Sequence, residues 1–374
     1  MKQSILFVAM LTVAAPVYAQ FGGLDKTLKK AQDAKKEMDS LNVSDDEERK
    51  IGEDVSAKIR QRFGVVQDAA VHKYVTLVGT VLAQQSERPN LAWRFIVLDT
   101  DGVNAFASPG GIVHITRGAL GLIRNEAELA AVLAHEIGHV AHKHTVNAIK
   151  KNKAVQLGSN QTLANRAPLL DQIANKAYEM VLENKFDRGD ELDADKVSVT
   201  LTAKVGYAPG TLADFLARLD DRNKDQPARN GLFASHPETK ERIDTVRKLA
   251  VGKTGALVEA RYKTNIKYEP TPVTSIATVA DGAAGLTGST TPSKEADKSG
   301  KTDEKTEEAP KKKGFGIASL KPAPTAERQS AQVSASGGSR GLGPDRAAKG
   351  GANSGLVKVS VSDAEVAAFK KGIA

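Results

Sequence analysis

The chain of 374 residues contains no cysteine. That absence excludes disulfides, thiolate metal ligands, cysteine nucleophiles and lipid attachment through an N-terminal cysteine. Any metal must therefore be held by His, Asp or Glu. Aromatics are scarce, at 5% with a single Trp, so the excess of Lys and Arg has no stacking platform beside it and nucleic-acid binding is not expected. Long apolar runs are scarce too. The run from Ile5 to Val17 is shorter than the roughly 20 residues that cross a hydrocarbon core, and Pro16 interrupts it. With Lys2 before it and small residues at Val17 and Ala19, it reads as a secretory signal peptide cleaved after Ala19. No later segment is apolar enough to span a bilayer, so no transmembrane helix is expected in the mature chain. A secreted chain without disulfides suits a bacterial periplasm, and a domain of about 200 residues buries enough surface to be stable without them.

The expected organisation is a signal peptide over 1–19, a lead segment over 20–43, a globular domain over 44–265, a disordered linker over 266–355 and a short strand and helix over 356–374. Ser44 and Glu47 fit a capping box, and Ile51, Val55 and Ile59 follow at spacings of four, so a helix begins there. A second helix is expected over 69–85. Trp93 to Asp99 is rich in aromatic and β-branched residues and reads as a strand. The segment NAFASPGGIVHITRG predicts two short strands about a turn at 109–111. From Asn125 the pattern turns helical, with Leu129, Val132, Leu133, Ile137 and Val140 forming an apolar face. Further helices are expected over 169–183, 188–204, 209–221 and 236–249.

Beyond Pro270, Phe315 is the only aromatic up to Gly355, and such a stretch cannot bury enough apolar surface to offset its ordering entropy. The last twenty residues differ. LVKVSVS alternates like a strand, and Ser362 with Glu365 makes a capping box before another helix.

The chemistry concentrates in His135-Glu136-Ile137-Gly138-His139, an H-E-x-x-H motif inside the helix that starts after Asn125. Random placement of the seven histidines and twenty-one glutamates gives only ~0.007 such matches. At about 100° per residue the two imidazoles project about 40° apart, one turn removed, so both reach a single ion. Glu136 lies about 60° from His139 around the helix, placed to activate a water without displacing it.

A catalytic zinc site has three protein ligands and one open position. The metzincin pattern is excluded, because His142 and Thr145 stand where it needs Gly and His. Peptide deformylases take a cysteine as third ligand, and this chain has none. A downstream glutamate remains: Glu179, Glu183 or Glu191. Glu191 stands out because Asp195, four residues later on the same helical face, can orient a ligand imidazole.

Four segments together resemble the family of zinc metallopeptidases that includes HtpX, BepA and the CAAX prenyl proteases: NAFASPGGIVHITRGAL at 104–120, HEIGHVAHKH at 135–144, E-x-x-A-D at 191–195 and SHPETKERI at 235–243. The resemblance covers about Ser44 to Leu249. It implies an α+β, mainly helical zincin-like domain with a small sheet next to the H-E-x-x-H helix. It also implies Glu191 as third zinc ligand beside His135 and His139, with Asp195 behind it. His236 is placed near the active site, contacting the metal in a closed state or stabilising the tetrahedral intermediate, and Arg242 beside it. Asn104 and Ala105 match the strand that pairs with substrate backbone. His144 matches a frequent family histidine and reads as a helix-end structural group; His142 and His72 read as surface residues.

The expected function is a periplasmic endopeptidase with one Zn2+ per chain, cleaving unfolded or misassembled envelope proteins, with outer-membrane assembly factors as candidate partners. The competing reading is a zinc-stabilised chaperone or assembly factor that uses the same groove without cutting.

Overall fold

The computed structural model describes residues 43–151, 167–182, 186–224, 236, 239–272, 279–280, 329–330 and 353–373. The expected signal peptide, the lead segment and most of the linker over 266–355 lie outside the described residues. The chain divides into two compact units, Met1–Ser44 and Asp45–Ala374, and the second carries the elements below.

The helices are α1 (Asp45–Phe63), α2 (Ala69–Ala83), α3 (Arg117–Leu122), α4 (Glu126–Ala141), α5 (His144–Lys151), α6 (Ala167–Leu182), α7 (Arg188–Val205), α8 (Thr211–Asn223), α9 (Thr239–Ala250), α10 (Glu259–Asn265) and α11 (Asp363–Lys371). The strands β1 (Arg94–Leu98), β2 (Ala105–Ser108) and β3 (Ile112–Thr116) form one sheet in the order β1-β3-β2. β1 runs parallel to β3, and β2 pairs antiparallel to it with Ala105 opposite Ile115. Val279–Ala280 and Gln329–Ser330 form a separate two-residue ladder, β4 and β5. The result is the expected mainly helical α+β domain with a small sheet.

The hairpin between β2 and β3 turns at Gly110 and Gly111, both with positive φ of 76° and 102°, a conformation that glycine reaches without a Cβ penalty. Helix α4 is the centre of the domain. Asn125 caps it by accepting from the Glu128 N–H at 2.9 Å, one of the amide groups that a helix start leaves without an internal partner. Every residue of α4 except Ala141 is buried, because α2, α7, α8 and β2 all pack against it. The alanines at 127, 130, 131 and 134 suit that enclosure, since small side chains let neighbours approach from all sides.

The approach of α7 to α4 positions the site. A Cβ on Gly138 would stand 3.1 Å from Val197 Cβ and 3.2 Å from Ala194 Cα, so only glycine lets the two helices come this close without displacement. Ser198 Oγ donates to the Ala131 carbonyl at 2.7 Å and ties the same pair together.

The final segment docks on the domain. Val65 N–H donates to the Asn353 carbonyl at 2.7 Å, and Arg60 Nη1 donates to the Ser354 carbonyl at 2.6 Å. Helix α11 starts with the expected capping box of Ser362 and Glu365, packs on α2 and buries Val366, while Ile373 just beyond its end is buried as well. Phe369 covers the Arg261 guanidinium at 4.0 Å. That guanidinium in turn pairs with buried Glu126, which also accepts from Tyr74 Oη at 2.8 Å and Tyr207 Oη at 2.6 Å.

Three expectations need correction. The strand over 356–362 does not form, since alternation supplies a face but not a ladder partner, and these residues belong to no regular element. The helix expected from residue 236 begins at Thr239, because a residue before proline is pushed away from helical backbone angles. His72 is not a surface residue: it is buried on α2 and its Nε2 meets the Val66 carbonyl at 2.8 Å.

Candidate active site

The H-E-x-x-H turn lies in the last third of α4, facing the start of α7. His135 Nε2 and His139 Nε2 stand 3.1 Å apart. Glu191 reaches them from the first turn of α7, with Oε2 3.5 Å from His135 Nε2 and Oε1 3.4 Å from His139 Nε2. His236 closes the group. Its Nδ1 lies 2.8 Å from Glu191 Oε1 and 3.3 Å from His135 Nε2. All four residues are buried, and one ligand atom from each falls within 4.8 Å of the others. Three imidazole nitrogens and a carboxylate, without sulfur, form a donor set that suits a borderline transition metal.

Glu136 is 1% exposed, and neither carboxylate oxygen has a hydrogen bond. The nearest base, His236 Nε2, is 3.8 Å from its Oε1. A buried carboxylate left in this state is costly unless its role is to meet something that enters the site. Burial raises its pKa, and the neighbouring His236 and His135 charges only partly counter that.

The second ring of contacts comes from α7 and α9. Asp195 Oδ1 lies 3.0 Å from His135 Nδ1. Arg242 donates to Asp195 from Nη2 at 2.7 Å and from Nε at 2.9 Å, and its Nη1 pairs with Glu191 Oε2 at 2.8 Å. Burial opposes ionisation of Glu191, yet the His236 and Arg242 charges hold its carboxyl well below the usual range. Asp195 is held low in the same way, with Arg242 outweighing burial. Burial keeps His139 neutral by pushing its imidazole far down. For His135, burial and Arg242 push down, but hydrogen bonds to Asp195 and Glu191 prevail and raise it to about 9. Loading a metal on Nε2 would therefore release a proton.

The structure thus brings His135, Glu136, His139, Glu191, Asp195, His236 and Arg242 into one buried cluster. Glu179 is elsewhere, paired with Lys176 at 2.7 Å, and Glu183 lies outside the described residues. The sequence profile of peptidase family M48 matches residues 69–250, a span that contains all seven. Residues 69–250 form a peptidase family M48 domain.

The M48 domain has relatives of similar sequence. The chain is 24% identical over 220 residues to the Beta-barrel assembly-enhancing protease of Yersinia pestis, covering 56% of this chain and 45% of that protein. It is 27% identical over 205 residues to the Mitochondrial metalloendopeptidase OMA1 of Schizosaccharomyces pombe, with 54% and 60% covered. It is 29% identical over 152 residues to the Metalloprotease LoiP of Escherichia coli, with 39% and 58% covered. The chain spans less than half the length of the Yersinia pestis relative.

Asn104 and Ala105 sit at the start of edge strand β2, both buried. The Asn104 carbonyl accepts from Thr116 N–H at 3.0 Å, and antiparallel register then turns the Ala105 peptide groups away from β3. The Ala105 N–H is satisfied by Asn104 Oδ1 at 2.9 Å.

Sequence reasoning gave no chemistry to His144. It is buried rather than a simple helix end, with Nδ1 3.0 Å from His139 Nδ1. His142 is half-buried rather than on the surface and pairs with Asp193. The crowding of histidines at 135, 139, 142 and 144 was the available signal, but spacing alone does not say which ring nitrogens meet. Among the described residues no helix is long and apolar enough to cross a membrane.

Proposed function

We propose that this chain is a zinc-dependent endopeptidase of the bacterial cell envelope that cleaves unfolded or misassembled envelope proteins. The observation that carries the reading is Glu136: a buried carboxylate with no hydrogen bond, one residue from a metal-facing imidazole. A purely structural metal has no use for an unpaired base at its side. The names of the relatives, proteases and metallopeptidases throughout, agree with cleavage, and the Beta-barrel assembly-enhancing protease motivates the envelope setting.

His135, His139 and Glu191 would hold the ion, one per chain. A zinc ion there supplies Lewis-acid polarisation of the scissile carbonyl and acidifies water. Glu136 takes the proton from the attacking water and passes it to the leaving amine nitrogen, a role that its raised pKa suits. Asp195 keeps the His135 proton on Nδ1, so that Nε2 offers its lone pair inward. Arg242 offsets the charge of Glu191 and Asp195, both buried. His236, whose Nδ1 stands 2.8 Å from Glu191 Oε1, would take the fourth position beside these three ligands, and the site would then be closed and latent. An extended substrate adds beside β2 and pairs with the Ala105 backbone, replacing the internal bond that the Ala105 N–H donates to Asn104 Oδ1.

The test pairs metal analysis with proteolysis of an unfolded protein. Wild type should carry one zinc and cleave, while Glu136→Gln keeps the zinc and loses cleavage. A Glu136→Gln variant that cleaves at the wild-type rate rejects the mechanism. A wild type that binds zinc and suppresses aggregation but never cleaves supports the chaperone reading instead.

A further inference from the structure

His135 and His139 each have a second ring nitrogen beyond the one that faces Glu191, and the two are served differently. His135 Nδ1 meets a carboxylate directly, Asp195 Oδ1 at 3.0 Å. His139 Nδ1 meets another imidazole, His144 Nδ1 at 3.0 Å. The far nitrogen of that ring, His144 Nε2, lies 3.3 Å from Asp193 Oδ2 and 3.8 Å from Asp190 Oδ1. His142 Nδ1 also pairs with Asp193 Oδ2. His139 and His144 are 1% and 5% exposed, so water does not substitute freely for these contacts.

A proton inventory orders the chain. A neutral His139 that points the Nε2 lone pair at the metal group carries its hydrogen on Nδ1. That N–H must donate, and its partner is His144 Nδ1, which then has to be a bare acceptor. The His144 hydrogen therefore sits on Nε2, on the side of the ring that faces the Asp193 carboxylate at 3.3 Å. Every donor in the series faces an acceptor.

His142, His144 and Asp193 also offer ligand atoms within 4.8 Å of one another, as a second metal site would. The same inventory opposes it. An ion on His144 Nε2 would force the proton to Nδ1, so that two buried N–H groups face each other across 3.0 Å. Burying a donor without an acceptor is unfavourable even before the repulsion between the pair.

We propose that His144 and Asp193 are positioning residues which hold His139 in its metal-binding tautomer, and that they do not form a second metal site while His139 is ligated. The proposal rests on the reading of His139 as a ligand. It gives α7 two orienting carboxylates, one acting on His135 directly and one on His139 through an intervening imidazole.

The experiment is zinc competition against a chromophoric chelator with the full chain, read as affinity and stoichiometry. Wild type should bind one equivalent. His144→Leu should bind about 10–100-fold more weakly, the usual cost of removing an outer partner of a ligand histidine. His144→Asn, whose Oδ1 retains an acceptor near the Nδ1 position, should recover most of that loss. Because His144 is buried, Asp193→Ala at a half-exposed position is the second variant, and it too should weaken binding while the fold is retained. Unchanged affinity in His144→Leu and Asp193→Ala overturns the proposal. So does an equal loss in the Leu and Asn variants, which marks packing alone, or a second zinc equivalent in wild type that Asp193→Ala removes. A His135→Ala control separates the parent reading: if it binds zinc as tightly as wild type, the metal centre itself is rejected and this inference with it.

Discussion

Arg242 grips Asp195 with two parallel hydrogen bonds, Nη2 to Oδ1 at 2.7 Å and Nε to Oδ2 at 2.9 Å. Both residues are almost fully buried, at 2% and 0% exposure. The pair joins α9 to α7 directly behind the histidines, and Arg242 Nη1 extends the same guanidinium to Glu191. Removing Arg242 leaves two carboxylates buried without their cation. Arg242→Ala is expected to lower stability by about 3–5 kcal/mol, the usual cost of breaking one side of a buried pair, measured by urea unfolding. Arg242→Lys should recover only part of it, since an ammonium cannot reproduce the two-pronged geometry. A variant as stable as wild type would show that the cluster is solvated in solution.

His236 should act as a brake. If its Nδ1 holds the fourth position beside Glu191, His236→Ala opens access and raises the initial rate of cleavage of an unfolded substrate. A fall of about 10²- to 10³-fold instead would identify it as a donor to the oxyanion, and no change would show that its place in the cluster has no bearing on turnover.

Acid should destabilise the domain partly through His114. Burial pushes this imidazole down to about 3, and the Arg60 and Arg94 charges act in the same direction. Ser56 Oγ meets its Nε2 at 2.9 Å. The folded pKa is below the unfolded value near 6.5, so the unfolded chain takes up a proton that the folded one refuses. Stability therefore falls as pH drops from about 6.5 toward 3, and is unaffected by this group above that window. The double variant His114→Leu/Ser56→Ala should show a flatter dependence on pH over that range in parallel denaturation curves. Equal slopes would mean that His114 protonates in the native state.

Removing 353–373 should lower the thermal midpoint yet leave zinc bound. Val366 and Ile373 are 4% and 1% exposed, and a fully buried aliphatic side chain contributes roughly 1.5–3 kcal/mol, less the entropy of ordering the segment. The deletion also uncovers Arg261 and Glu126, far along α4 from its H-E-x-x-H turn. Scanning calorimetry with metal analysis checks both halves, and an unchanged midpoint would show that the docked segment is not held in solution.

The elements were legible where a local rule governed them. Helix α4 followed from Asn125 and its apolar face, β2 and β3 from the Pro-Gly-Gly turn, and α11 from its capping box. The pair His135 and His139 followed from the pitch of one helix. Choosing Glu191 over Glu179 and Glu183 rested on Asp195 and on resemblance, and the geometry brings Glu191 alone of the described candidates to the imidazoles. The strand over 356–362 failed because a ladder needs a partner that periodicity does not name. His72 was misread because one histidine on a helix carries no sign of which neighbour will cover it.

By itself, the sequence determined the H-E-x-x-H helix, the lack of sulfur ligands and the mainly helical class. These depend on residue type and on distances of a few residues along one element. The tertiary structure decided that His236 joins His135, His139 and Glu191, that Arg242 holds two carboxylates, that His144 rather than a carboxylate faces His139 Nδ1, and that residues 353–373 return to the domain. Each of those joins residues tens to hundreds of positions apart or selects one nitrogen of a ring, and both are set by how helices pack: by the close approach that Gly138 allows between α4 and α7, which no spacing along the chain encodes.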